Sequence, residues 1–178
     1  MRPALLALVL SGFAFSSPST GEDDCLSCTL ETDLLWPPNH VLVNVGLGVG
    51  EHVDPNATHT TTIAVYSDED DIWPASARFS PDASQGDVGL RLRSERNGRG
   101  DGRVYLIIVT VEDRDSVSGI SHWHTCVFTV VVPHDLSDAS IASVRAQAQA
   151  AEDYWTATGD VPPAFFLVGD GPITGSKQ

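Results

Sequence analysis

Between Leu90 and Asp135 the order of apolar and polar positions fits β-structure and little else. Leu90 to Glu95 alternates apolar with charged residues, the pattern of a strand with one wet face. Arg96 to Gly102 carries three glycines and predicts a hairpin connection. Val104 to Val111 is an unbroken β-branched and aromatic run, as in a central strand covered on both sides. Asp113 to Gly119 predicts a turn. Cys126 to Val132 predicts a third strand, stopped by Pro133, which has no N–H to give to a ladder. With a regular pleat, Tyr105, Ile107, Val109, Val111 and Asp113 share one face, and Cys126, Phe128, Val130 and Val132 share the neighbouring one. These strands predict the spine of an antiparallel β-sandwich.

The flanks add to it. Two prolines make Leu34 to His40 an extended entry, with Trp36 expected to plug the end of the sandwich. Val41 to Val45 and His59 to Tyr66 predict two more strands, and Gly46 to Gly50 loosens the first of them. Ile72 to Asp87, with two prolines and a glycine, predicts a long irregular loop. Asp138 to Tyr154 is alanine- and glutamine-rich. It predicts a helix capped by Ser137 or Asp138 and ended by Gly159. Phe165 to Val168 is a short apolar tag with no evident partner.

Composition narrows the compartment and the partners. Met1-Arg2, the apolar stretch Ala4 to Leu10, and Ala14 and Ser16 at small-x-small spacing predict an export signal over residues 1–16. The apolar stretch is too short to span a bilayer, and no later one comes near the ~20 apolar residues required. A polar, flexible arm is expected over 17–30, the sandwich over 31–135, and a helical and irregular extension over 136–178. Export permits disulfides. A bridge from Cys126 to Cys28, or alternatively to Cys25, would staple the arm to the last strand; the competing pairing is Cys25 with Cys28. With 24 acidic and 10 basic residues the net charge is −14, which argues against nucleic acid as a partner.

Five motifs occur together in order: Leu35-Trp36-Pro37-Pro38-Asn39-His40; Ser67-Asp68-Glu69; Leu92-Arg93-Ser94-Glu95-Arg96 continuing to Gly102-Arg103-Val104-Tyr105; Val111-Glu112-Asp113; and Val132-Pro133-His134-Asp135. The set resembles immunoglobulin-like modules of secreted and cell-surface bacterial proteins, over about residues 30 to 135. The resemblance implies an all-β immunoglobulin-like antiparallel sandwich, here with a C-terminal helical extension. It also implies a non-catalytic role in binding, adhesion or architecture at or beyond the cell surface, as a monomer meeting a surface protein or glycan. Within the motif set Trp36, Pro37, Pro38, Asn39, His40, Tyr105, His134 and Asp135 read as structural.

The sharpest candidate chemistry is calcium. Asp68, Glu69 and Asp71 end one strand, Asp82 lies on the following loop, and Asp113 and Asp115 end the Tyr105 strand. Ca²⁺ takes six to eight oxygens, and loops at one end of a sandwich can supply them. A metal-dependent binding protein is therefore the alternative function, with His122 and His124 as further ligands on one strand face. Solvated acidic loops are the plainer account. Arg91 and Arg93 are expected on a wet sheet face, paired with the surplus carboxylates. No nucleophile motif, phosphate loop or His-Glu-x-x-His occurs, so no enzyme is expected.

Overall fold

The computed structural model describes residues 27–50, 57–70 and 79–169. The expected signal segment, most of the N-terminal arm, Cys25 and Asp71 lie outside them. The strands are β1 (Ser27–Thr29), β2 (Leu42–Asn44), β3 (Gly48–Gly50), β4 (Ala57–Ser67), β5 (Ala83–Gly86), β6 (Gly89–Arg93), β7 (Gly102–Asp115), β8 (Ser121–Pro133) and β9 (Phe166–Leu167). The helix α1 (Asp138–Thr158) precedes β9. The main sheet has the order β8-β7-β4-β9, a second sheet has β2-β6-β5, and β1 pairs with β3. All these strand pairs are antiparallel, and the fold is sandwich-like and mostly β.

The β7 face expected to be inward is inward. Tyr105, Ile107 and Val109 sit beside Val130, Phe128 and Cys126 of β8, and beside Ser67, Val65 and Ile63 of β4. Leu90, Leu92, Ala83 and Val45 close over them to make the main core. The opposite face of the same sheet is covered by α1, whose Val144 and Ala148 pack on Val104 and Val131. Double coverage explains why β7 reads as a continuous apolar run rather than an alternating one.

Four expectations need correction. First, β6 and β7 are not a hairpin: they belong to different sheets, and Arg96 to Asp101 carries the chain between them. Of the three glycines there, Gly102 alone has positive φ (127°). A Cβ on it would lie 2.8 Å from Val144 Cγ2 and 3.0 Å from the Val132 carbonyl, so glycine answers helix docking rather than a tight turn. Second, residues 27–30 are not flexible arm. They form β1, and Cys28 is joined to Cys126 on β8 (S–S 2.09 Å). Third, the helix is present as expected, but the apolar tag after it does have a partner. Ser137 caps α1, Gly159 ends it in the left-handed conformation, and β9 then adds to β4 at Tyr66 and Ser67. Fourth, the buried plug is Leu35, whereas Trp36 is 41 % exposed. Leu35 donates its N–H to the Val131 carbonyl (2.8 Å), which turns the isobutyl group inward and the indole out.

Candidate functional site

At the end of the main sheet where β4 finishes and β7 begins, charged groups are buried rather than solvated. Arg93 and Asp82 are 0 % exposed and Arg103 is 1 % exposed. Arg103 donates to Glu69 Oε2 (2.9 Å), to Asp82 Oδ2, and to the Tyr105 hydroxyl (2.9 Å). Arg93 places Nε 3.3 Å from Asp82 Oδ1 and donates to the carbonyls of Pro81 and His40 (2.8 Å each). The Tyr105 hydroxyl donates to the Arg93 carbonyl (2.8 Å) and so links the two arginines. The expectation of Arg93 on a wet face is overturned. Its strand ends under the loop of Ser80 to Asp82, and the guanidinium is the donor that satisfies that loop's carbonyls.

The electrostatics follow from burial and pairing. Desolvation opposes the charge on Arg103, but Tyr105, Asp82 and Glu69 outweigh it and hold the guanidinium well above its ordinary range. Burial pushes the Tyr105 phenol up. Asp68 is pushed up to about 6, chiefly by burial and further by Glu69, against the Val104 N–H that it accepts at 2.9 Å.

Beside this network opens a cleft of about 650 Å³ lined by His40, Asp68, Glu69, Glu95, Arg96 and Phe166 among others. Its charged groups are largely committed to the fold. Glu69 accepts the Asn97 N–H (2.8 Å) as well as Arg103. Glu95 holds His40 Nδ1 at 2.6 Å, and the imidazole stacks on Phe79 with centroids 4.0 Å apart. Arg96 donates to the His134 carbonyl (2.7 Å). The remaining motif residues fix loops in the same way. Pro37 accepts the Ser94 hydroxyl (2.7 Å), Asn39 accepts the Val41 N–H (3.1 Å), and Asp135 accepts the Ser137 N–H (2.8 Å) at the start of α1. Hydrogen bonds from Ser137 hold the Asp135 carboxyl at about 2.

Asp71 lies outside the described residues, and the other five carboxylates expected to share calcium do not converge. Ser67 pairs with Tyr105 at one end of the β4–β7 ladder and Ala57 pairs with Asp115 at the other. Ten residues of strand separate Arg103 from Asp113, roughly 30 Å. Asp68, Glu69 and Asp82 therefore lie at one end, and Asp113 and Asp115 at the other. Glu69 and Asp82 already serve Arg103. Asp113 bonds His59 Nδ1 (2.6 Å) and lies 3.5 Å from His124 Nε2. Asp115 caps its own turn through the N–H groups of Val117 (2.9 Å) and Ser118 (2.6 Å), which also lower its pKa. His122 is the cross-strand neighbour of Asp113, so His59, Asp113 and His122 form a row across three strands. Among the described residues no group of three or more His, Cys, Asp or Glu side chains is arranged to hold a metal ion.

Two features escaped the sequence reading. One is the buried arginine network, hinted at only by arginine and tyrosine alternating at Arg103 and Tyr105. The other is the sheet surface around Trp123, which is 63 % exposed. It was legible as the far side of a strand whose near side is His122 and His124. No helix among the described residues is long and apolar enough to cross a membrane. No family model matches the chain, and neither curated proteins nor solved structures gave a match.

Proposed function

We propose that this chain is a non-catalytic binding or structural module of immunoglobulin-like type, working in an oxidising compartment at or outside the cell surface. The observation that carries the reading is the Cys28–Cys126 pair. It ties the strand that enters the domain to the middle of β8 and closes a span of 98 residues. A bridge over such a span adds about 4–5 kcal/mol in the chain-entropy model, and it forms only where thiols are oxidised. The apolar segment Ala4 to Leu10, followed by Ala14 and Ser16, supports export to such a place. The ordered motif set from Leu35 to Asp135 supports the immunoglobulin-like assignment. The wiring of the cleft supports a module rather than an enzyme, because Glu69, Glu95 and Arg103 hold loops together and are not poised on an open site.

The test is expression of the full chain in a bacterial host, followed by thiol alkylation and peptide mapping of the exported fraction. The expected result is an exported chain whose Cys28 and Cys126 peptides are recovered linked. A chain retained in the cytoplasm, or exported with both thiols free, overturns the reading.

A further inference from the structure

Beyond the end of α1 no element among the described residues covers the outer face of the main sheet. The helix runs back along β8, with Glu152 accepting the Thr129 hydroxyl (2.7 Å). Past that point the outward positions of three paired strands form a grid. Thr60, Glu112 and Trp123 make one row, and Thr62, Thr110 and Thr125 make the next. Thr60, Thr62, Trp123 and Thr125 are exposed and Thr110 and Glu112 half-buried. Neighbouring strands lie about 4.8 Å apart and outward side chains about 6.8 Å apart along a strand. Trp123 stands on the edge strand β8, so Glu112 and Thr125 are its nearest outward neighbours, and the hydroxyls of Thr110, Thr60 and Thr62 extend the surface to one side of the indole. Ser121 donates its hydroxyl to Glu112 Oε1 (2.6 Å), which fixes that carboxylate beside the ring.

We infer that this face is a binding platform for a neutral polysaccharide, with Trp123 as the stacking residue and the Thr60, Thr62, Thr110, Thr125 and Glu112 side chains as its hydrogen-bonding surround. The inference rests on the module reading above and names a ligand class for it. An exposed indole offers an electron-rich face to the polarised C–H groups of a pyranose ring, and hydroxyls and a carboxylate match its equatorial hydroxyl groups. Charge selects among glycans. Glu112 and Arg114 cancel on this face, while the chain carries −14 overall and repels polyanions. A protein partner fits less well. A stable interface buries about 800 Å² per side around a well-packed apolar centre, and this grid offers one indole among threonines.

The experiment uses the full, disulfide-bonded chain in pull-downs on cellulose and chitin and in gels cast with soluble mixed-linkage β-glucan or xylan. Retention by at least one of the four is expected. It should persist in high salt, fall on the order of tenfold in Trp123→Ala, and recover in part in Trp123→Phe. The inference is overturned by no retention on any of the four, by equal retention of Trp123→Ala, or by release in salt. Self-association in sedimentation that Trp123→Ala abolishes also overturns it, because the face would then join copies of the chain. An exported, oxidised chain that ignores all four glycans sinks this inference alone. Glycan retention by a chain with free cytoplasmic thiols sinks the module's compartment and leaves the platform standing.

Discussion

The two ends of the β4–β7 ladder carry similar residues and use them in opposite ways. At the Ser67–Tyr105 end, Arg93, Arg103, Asp82 and Tyr105 are withdrawn from water and linked to one another by ion pairs and hydrogen bonds. At the other end, Glu112, Arg114, Trp123 and four threonines stand on a sheet that neither α1 nor the second sheet reaches. The difference is one of coverage. The second sheet is built from strands of three to five residues, whereas β7 and β8 run for 14 and 13. The short sheet covers only one end of the long one. Charge placed under it must be paired, because isolated burial costs several kcal/mol per ion. On the opposite face α1 likewise stops short, and charge and aromatic surface beyond its end stay available to a ligand.

Removing a partner at the covered end is the sharpest way to break this contrast. Arg103→Ala leaves Asp82 buried without its main donor and frees Glu69 and the Tyr105 hydroxyl from theirs. The expected loss is about 3–5 kcal/mol in chemical denaturation at neutral pH. Arg103→Lys is expected to recover only part of it, because a single ammonium nitrogen cannot reproduce the separated Nε and Nη1 donors that reach Glu69 on one side and Asp82 and Tyr105 on the other. A loss below about 1 kcal/mol would mean that the network tolerates water and that the two ends do not differ in kind.

Alternation made β4 legible, continuous apolar and β-branched runs made β7 and β8 legible, and alanine content with its capping residues did the same for α1. What stayed hidden depends on contacts distant in sequence. That β6 and β7 part into different sheets is decided by Glu69 reaching the Asn97 N–H and by the loop of Ser80 to Asp82 closing over Arg93. Neither leaves a local pattern. The same blindness placed Arg93 in water, because an alternating strand looks alike whether its polar side meets solvent or a buried carboxylate. The Cys28–Cys126 pairing was one of the alternatives on composition alone; the strand Ser27–Thr29 that positions it shows no apolar period. On the site, the six acids were read as one group because sequence order cannot tell which end of an antiparallel ladder a residue occupies.

Asp68 gives a smaller effect of opposite sign, confined to a pH window. Burial raises its carboxyl from about 3.8 to about 6, so the folded state holds the proton more tightly than the unfolded chain does. Its contribution to stability is full below about pH 4 and is lost as the pH rises through about 6. Asp68→Asn keeps an oxygen for the Val104 N–H and removes the charge. At pH 7.5 the variant is expected to be more stable than the parent by about 2–3 kcal/mol, with no difference near pH 4. Paired denaturation curves at the two pH values check this. An Asn variant no more stable at pH 7.5 would place Asp68 among the network's necessary anions and not among its strained ones.

The smallest expected effect falls at the uncovered end and completes the contrast. Trp123→Ala removes a large side chain from the outer face, yet the residue is 63 % exposed. Its cross-strand neighbour Glu112 is held by Ser121 and not by the indole. The change in stability is therefore expected to stay within about 0.5 kcal/mol, as for other surface positions, although some cross-strand packing with Glu112 is given up. The thermal midpoint of the oxidised chain measures it. A drop comparable to that of Arg103→Ala would make Trp123 part of the framework, and an exposed aromatic that the fold needs is no longer surplus surface free to meet a ligand. A null effect on stability alongside lost glycan retention would separate the two ends cleanly: one set of polar residues holds the sheets together, and the other faces outward because no element among the described residues covers it.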